Sequence, residues 1–229
     1  MRKPLIAGNW KMYKTIPESI ELVNGLKREL VDVVEADIAV CPTHIALSQV
    51  ADMLEGSNIK LGAQNLYWEK EGAFTGEISP EMIKDAGCYY VIIGHSERRK
   101  YFGETEDTVN KKINAAQKAG LVPIFCVGET LEQREAGQTI DVIKTQLQGG
   151  LKGFDSQVLG NLVIAYEPVW AIGTGKTATP GQAQEVHSFI RSWLKDNYSQ
   201  EISENLRILY GGSVKPDNVG ELISQVDID

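Results

Sequence analysis

Cysteine, histidine and proline are scarce in this chain, and no apolar run is long enough to cross a membrane. The three cysteines, Cys41, Cys88 and Cys126, are far apart and carry no CxxC spacing. That argues against a disulfide framework and against a zinc site, and it fits a reducing cytoplasm with each thiol buried. With only three histidines, His44, His95 and His187, no metal-binding trio is apparent. The N-terminal Met1-Arg2-Lys3-Pro4 leads into about five apolar residues, too few for a signal segment or a membrane span, so no targeting signal is expected. A basic excess is also missing. The formal net charge of -8 makes nucleic acid and anionic membranes poor partners. Backbone N–H groups and one or two lysines can still capture a small phosphate.

What is present is a strict alternation. Strand-like runs at Leu5–Ala7, Ile38–Cys41, Ile59–Ala63, Tyr89–Ile93, Leu121–Val127, Leu162–Tyr166 and Leu206–Tyr210 are nearly continuous in apolar residues. Such runs predict parallel strands buried on both faces. Between them lie helical stripes: Ile20, Val23, Leu26, Leu30 and Val33; Ile140, Ile143, Leu147 and Leu151; Ala183, Val186, Ile190 and Trp193. Thr179-Pro180-Gly181-Gln182 opens the last of these with a capping box and proline at its first position, and Ser79-Pro80 opens another helix. Seven βα units in a single domain over 1–229 are expected, with no linker to split the chain.

Strict βα alternation gives an open doubly wound sheet or a barrel. Polar residues follow nearly every strand: Asn9, Gln64-Asn65, His95, Glu129, Glu167 and Ser213. A barrel gathers all those strand ends at one mouth, whereas an open sheet spreads them along an edge, so the barrel is preferred.

The densest chemistry lies in Ala165-Tyr166-Glu167-Pro168-Val169-Trp170-Ala171-Ile172-Gly173-Thr174-Gly175. A buried strand delivers one carboxylate, a proline stiffens the exit, and a glycine-bearing loop follows, as suits a general base beneath a lid. Gly173-Thr174-Gly175-Lys176-Thr177 imitates the end of a P-loop, but the glycine required five residues before Gly175 is Trp170. A lid whose Gly173 N–H approaches a phosphate fits better. His95, at a strand end before a helix, suits a neutral imidazole that donates to a carbonyl oxygen. His44 reads as an ordinary residue in the first turn of a helix, and His187 as one on the side of an amphipathic helix.

Taken with Asn9-Trp10-Lys11, Gly94-His95-Ser96-Glu97 and Tyr210-Gly211-Gly212-Ser213, the segment resembles the triosephosphate isomerase family along the whole chain. The pairing of a glutamate base with a neutral histidine is that family's own known pattern and comes with the resemblance. The resemblance implies a (β/α)8 TIM barrel and a cytoplasmic homodimer in glycolysis and gluconeogenesis. It implies interconversion of dihydroxyacetone phosphate and D-glyceraldehyde 3-phosphate through an enediolate, with no cofactor and no metal. Glu167, His95, Lys11 and Asn9 are then the catalytic residues. Asn9, Lys11, Gly173 and Ser213 bind substrate and phosphate, and Glu97, Ser96, Tyr210, Gly211 and Gly212 support them. The lid is Pro168, Val169, Trp170, Ala171, Ile172, Gly173, Thr174, Gly175 and Lys176, with Trp170 at its hinge. The loop from Gln64 to Glu77 is similar to the finger that reaches a second subunit and brings Thr75 toward the partner's Lys11 and the partner's His95. Tyr13 stands where many relatives carry a small polar residue or histidine. The chain stops at Val226-Asp227-Ile228-Asp229, where an eighth strand would begin, so only seven of eight units are expected, as in a truncated chain. The alternative reading is an inactive, truncated barrel that keeps only phosphate binding or dimerisation.

Overall fold

Each strand expected from the apolar runs forms, within two residues at either end. In a computed structural model that describes residues 2–171 and 177–229, the strands are β1 (Leu5–Asn9), β2 (Asp37–Cys41), β3 (Ile59–Ala63), β4 (Tyr90–Ile93), β5 (Val122–Val127), β6 (Val163–Tyr166) and β7 (Arg207–Tyr210). The helices between them are α1 (Ile16–Leu30), α2 (Leu47–Leu54), α3 (Pro80–Asp85), α4 (Ser96–Phe102), α5 (Glu106–Lys118) and α6 (Leu131–Glu135). They continue as α7 (Thr139–Gly150), α8 (Ser156–Leu159), α9 (Pro180–Asn197), α10 (Gln200–Asn205) and α11 (Val219–Ile223).

Two compact units account for these elements: residues 3–93 with 111–123, and residues 94–110 with 124–229, to which Arg2 is joined. In the first, β1, β2, β3 and β4 follow chain order and pair in parallel. Leu5 faces Asp37 and Ile38 faces Ile59. In the second, β5, β6 and β7 are again parallel and in order, with Val127, Tyr166 and Tyr210 aligned at their C-terminal ends. That alignment places the residues following all three strands at one level.

The local signals act as expected. Thr179 Oγ1 accepts from Gln182 N–H at 3.2 Å, and Gln182 Oε1 accepts from Thr179 N–H at 2.9 Å, closing the capping box that starts α9. Ser79 Oγ accepts from Met82 N–H at 3.2 Å to start α3. Ala183, Val186, Ile190 and Trp193 are all buried beneath α9, and Ile143, Leu147 and Leu151 beneath α7. On α1 only Val23 of the expected apolar stripe is fully covered, and Val33 lies beyond the helix end. β4 and β6 are buried along their whole length, as two-sided strands require. β1 departs from that rule: Ile6 is 48% exposed on a strand that stands first in its order. All three cysteines are free and buried. Burial pushes the Cys41 thiol up to about 12, and the neighbouring Cys88 thiol adds to the effect. No described helix is long and apolar enough to cross a membrane.

Candidate active site

Glu167 is the first residue beyond β6. Its N–H donates to Val127 O at 2.7 Å, which carries the β5–β6 pairing one step further and fixes where the side chain starts. Space there is tight on both sides. A Cβ at Gly128 would overlap the Glu167 carbonyl oxygen and come within 2.7 Å of its carbon. A Cβ at Gly211 would lie 3.0 Å from Glu167 Cγ. Gly211 N–H also donates to Tyr166 O at 2.7 Å. Two glycines at the ends of β5 and β7 thus create the slot that the glutamate occupies.

Glu167 is 5% exposed, and each of its carboxylate oxygens meets a partner. Oε2 accepts from Ser96 N–H at 3.1 Å, and Oε1 lies 3.1 Å from His95 Nε2. Beneath them is Cys126, whose thiol is held protonated by burial first and by the nearby Glu167 carboxylate second.

His95 is set by the turn before it. Gly94 has φ +76, a left-handed backbone that favours glycine, and a Cβ there would lie 3.1 Å from Val109 Cγ2 and 3.2 Å from Cys126 O. Glu104 Oε2 accepts from Gly94 N–H at 3.1 Å, and Arg99 Nε donates to Gly94 O at 2.8 Å. His95 then caps α4, with Nδ1 accepting from Glu97 N–H at 3.2 Å. An Nδ1 lone pair used in this way leaves the ring proton on Nε2, where it points at the Glu167 carboxylate. The Glu97 carboxylate is 3.6 Å from Nδ1, too far for a hydrogen bond.

After Pro168 the chain makes a single 3-10 turn, Val169–Ala171. One buried carboxylate anchors it. Glu129 Oε1 accepts from Trp170 Nε1 at 2.9 Å, Tyr166 OH lies 3.1 Å from both of its oxygens, and Arg134 Nη1 is 3.1 Å from Oε1. The Arg134 guanidinium stacks over the Trp170 ring, 4.9 Å from its centroid. Val169 N–H donates to Glu129 O at 3.1 Å. Trp170 therefore has a specific partner in Glu129. Ile172, Gly173, Thr174, Gly175 and Lys176 lie outside the described residues, so the phosphate contact expected from Gly173 does too. Tyr210 packs against Trp170, Ala171 and Ala178.

Gly211 and Gly212 both have negative φ, so the turn after β7 does not need them for left-handed backbone. Each is there for space. Gly211 clears Glu167, and Gly212 clears the Tyr210 hydroxyl, which occupies the place of its Cβ. Ser213 is half-buried, and its carbonyl accepts from Asn218 Nδ2 at 3.0 Å.

Asn9, Lys11 and Thr75 belong to the first unit. Lys11 has φ +52, a strained conformation for a residue with a Cβ. Two side chains hold it: Asn9 Oδ1 accepts from Lys11 N–H at 3.0 Å, and Gln64 Nε2 donates to Lys11 O at 2.7 Å and Cys41 O at 2.9 Å. Asn9 thus braces the lysine backbone. In the 64–77 loop, the Tyr67 ring packs on Trp68 and Phe74 at 4.1 and 4.7 Å, while Thr75 is exposed. His187 is a correction: expected on the flank of α9, it is fully buried, with Nδ1 3.1 Å from Asp227 O.

Among the described residues, no group of three His, Cys, Asp or Glu could hold a metal ion. Sequence reasoning missed Gly128, Cys126, Arg134 and Asn218 as parts of the site. The signal for Gly128 was available, since a glycine directly follows β4, β5 and β7 alike.

A family model described as triosephosphate isomerase matches residues 4–229. A protein named triosephosphate isomerase from Carboxydothermus hydrogenoformans is 60% identical over 229 residues, 100% of this chain and 91% of its own length. Those of the same name from Alkaliphilus oremlandii and Geotalea uraniireducens are each 56% identical over the whole chain, covering 92% and 91% of their lengths.

Proposed function

Because the chain belongs to the triosephosphate isomerase family, we propose that its isomerisation runs through Glu167 as base and His95 as the hydrogen-bond donor to the substrate carbonyl. The fold class is that family's α/β barrel, and the activity is interconversion of dihydroxyacetone phosphate and D-glyceraldehyde 3-phosphate. The alternative of an inactive, binding-only chain is not favoured, since relatives that match it from end to end carry the enzyme's name.

The observation that carries the residue assignment is the pairing of Glu167 Oε1 with His95 Nε2 at 3.1 Å inside a buried slot. In this arrangement both carboxylate oxygens are occupied, by His95 and by Ser96 N–H. To act, Glu167 leaves those donors for a carbon next to the substrate carbonyl, takes a proton, and returns it to the neighbouring carbon. The Nε2–H it leaves behind turns to the carbonyl oxygen, stabilises the charge that develops there, and relays the hydroxyl proton from one substrate oxygen to the other, so that the former carbonyl oxygen ends as the hydroxyl. Lys11 and Asn9 serve the enediolate, and Gly173 and Ser213 hold the phosphate while the lid from Pro168 to Lys176 excludes water. The braced, left-handed backbone of Lys11 supports a functional role, because strain of that kind concentrates at working sites.

Two further parts belong to this reading. The protein is one domain over 1–229 that works as a cytoplasmic homodimer. Support for the dimer comes from Met12, 92% exposed, and Tyr13, 71% exposed, which follow directly on Lys11. Sedimentation of a particle containing two 25.2 kDa chains checks it. The test of the chemistry is a coupled assay from dihydroxyacetone phosphate on the parent protein and on Glu167→Gln. Loss of turnover in the variant is expected, and near-parental turnover would overturn the assignment of the base.

A further inference from the structure

Three consecutive residues at the end of β5 hold the strand end that carries the base. Val127 O accepts from Glu167 N–H at 2.7 Å, and Glu129 O accepts from Val169 N–H at 3.1 Å. Between them, Gly128 lies so close to the Glu167 carbonyl that no side chain fits. Any rotation of the Gly128 peptides therefore moves Glu167 and the start of the hinge together.

Both polar groups of Gly128 are held by one side chain. Gln146 Oε1 accepts from Gly128 N–H at 2.8 Å, and Gln146 Nε2 donates to Gly128 O at 3.1 Å. This two-point grip mimics a backbone pairing, and it fixes direction as well as distance. Gln146 stands on α7, whose register is set by the fully buried Ile143 and Leu147 on either side of it. Its own side chain is half-buried and borders an open polar groove of about 360 Å³. The core does not depend on the amide for packing, which leaves its hydrogen bonds as its main contribution.

We infer that Gln146 is a positioning residue for the isomerisation, orienting the Gly128 peptides so that the backbone of Glu167 and the Glu129-anchored hinge keep their working geometry. The inference rests on the reading of Glu167 as base. A displacement of the base by a fraction of an ångström affects the reacting geometry far more than the binding of a phosphate held elsewhere.

The test uses Gln146→Met, which keeps length and loses both hydrogen bonds, and Gln146→Glu, which keeps the acceptor and loses the donor while ionised. For Gln146→Met, kcat is expected to fall about tenfold with KM changed by less than about twofold. The Trp170 indole N–H resonance is expected to shift as the hinge relaxes. For Gln146→Glu, the ratio of its kcat to the parent's is expected to rise from about pH 8 to about pH 5, because a protonated carboxyl regains the donor. A folded Gln146→Met with parental kcat overturns the inference, whatever its melting temperature. Should that variant not fold, the Gln146→Glu ratio decides alone, and a flat ratio overturns it. Glu167→Gln measured alongside separates the two readings: turnover retained there removes the base assignment, while turnover lost there with Gln146→Met unaffected removes only the role of Gln146.

Discussion

Trp170 and Glu129 are joined by a hydrogen bond of 2.9 Å from the indole N–H to a carboxylate that is fully buried. The same carboxylate serves Tyr166 and Arg134, so one acidic side chain ties the last residue of β6, a cation from α6 and the turn Val169–Ala171 into a single cluster. Trp170→Phe removes the N–H, together with part of the ring's packing, while keeping an aromatic ring over Arg134. Trp170→Phe is expected to cost about 1.5–3 kcal/mol of stability, the range for a hydrogen bond to a charged group. Urea denaturation of the two proteins measures it. A loss within about 0.5 kcal/mol, the usual scatter for surface changes, means that the bond does not anchor the turn after Pro168.

Shortening Glu167 tests the proposal that it is the base. Glu167→Asp keeps the carboxylate but withdraws it by one methylene, in a slot whose walls are the glycines at 128 and 211. A misplacement of about 1 Å is expected to lower kcat about a hundredfold, with KM little changed. Steady-state kinetics on both substrates checks this. A rise in KM at parental kcat would assign Glu167 to binding.

The two glycines beside Glu167 are expected to fail in different ways. At Gly211 the added methyl meets Glu167 Cγ at 3.0 Å, a contact the side chain can relieve by turning. Gly211→Ala therefore folds, and its kcat falls about tenfold because the carboxylate is displaced. At Gly128 the obstacle is the backbone of Glu167 itself, which cannot turn away. Gly128→Ala is expected to lose more than about 3 kcal/mol, as overpacking against fixed backbone does. Soluble yield and kcat of the pair separate the two cases, and a well-folded, active Gly128→Ala counts against the packing described.

The pattern of elements was legible because two-sided burial leaves a plain trace: every apolar run became a strand, and the capping residues Ser79 and Thr179 start the helices they announce. Glu167 and His95 were legible as strand-end residues, Ser96 came only with the family resemblance, and the second unit brings all three together. What could not be read was the bracing. Asn9 ends β1 and Gln64 follows β3, yet nothing in their spacing says that both grip the backbone of Lys11. Gln146 looks like an exposed position between two core residues of α7, and only the fold brings its amide to Gly128. His187 was misread for a related reason. Four residues after Ala183 and three before Ile190, it lies on the buried face of α9, and the carbonyl that meets its ring there belongs to Asp227, forty residues further along the chain.

That burial has a consequence for stability in acid. His187 is wholly enclosed, its ring meets Tyr166 edge-on at 5.8 Å, and its Nδ1 faces the carbonyl of Asp227. Desolvation pulls it from its ordinary 6.5 down to about 4; the Arg191 guanidinium works in the same direction, and the Asp227 carbonyl and the Asp229 and Asp227 carboxylates only partly oppose it. A histidine with a depressed folded-state pKa contributes its full stability above 6.5, where both states are neutral. As the pH falls from 6.5 toward 4, the unfolded chain takes up the proton and the folded chain does not, so stability is lost across that window. The loss amounts to about 3 kcal/mol by pH 4. His187→Asn, which keeps a side-chain amide for Asp227 O but cannot titrate, is expected to flatten the pH dependence of urea unfolding between pH 6.5 and 4 relative to the parent. Equal slopes for the two proteins would mean that the ring protonates inside the fold without penalty, and that the carboxylates of Asp227 and Asp229 compensate it.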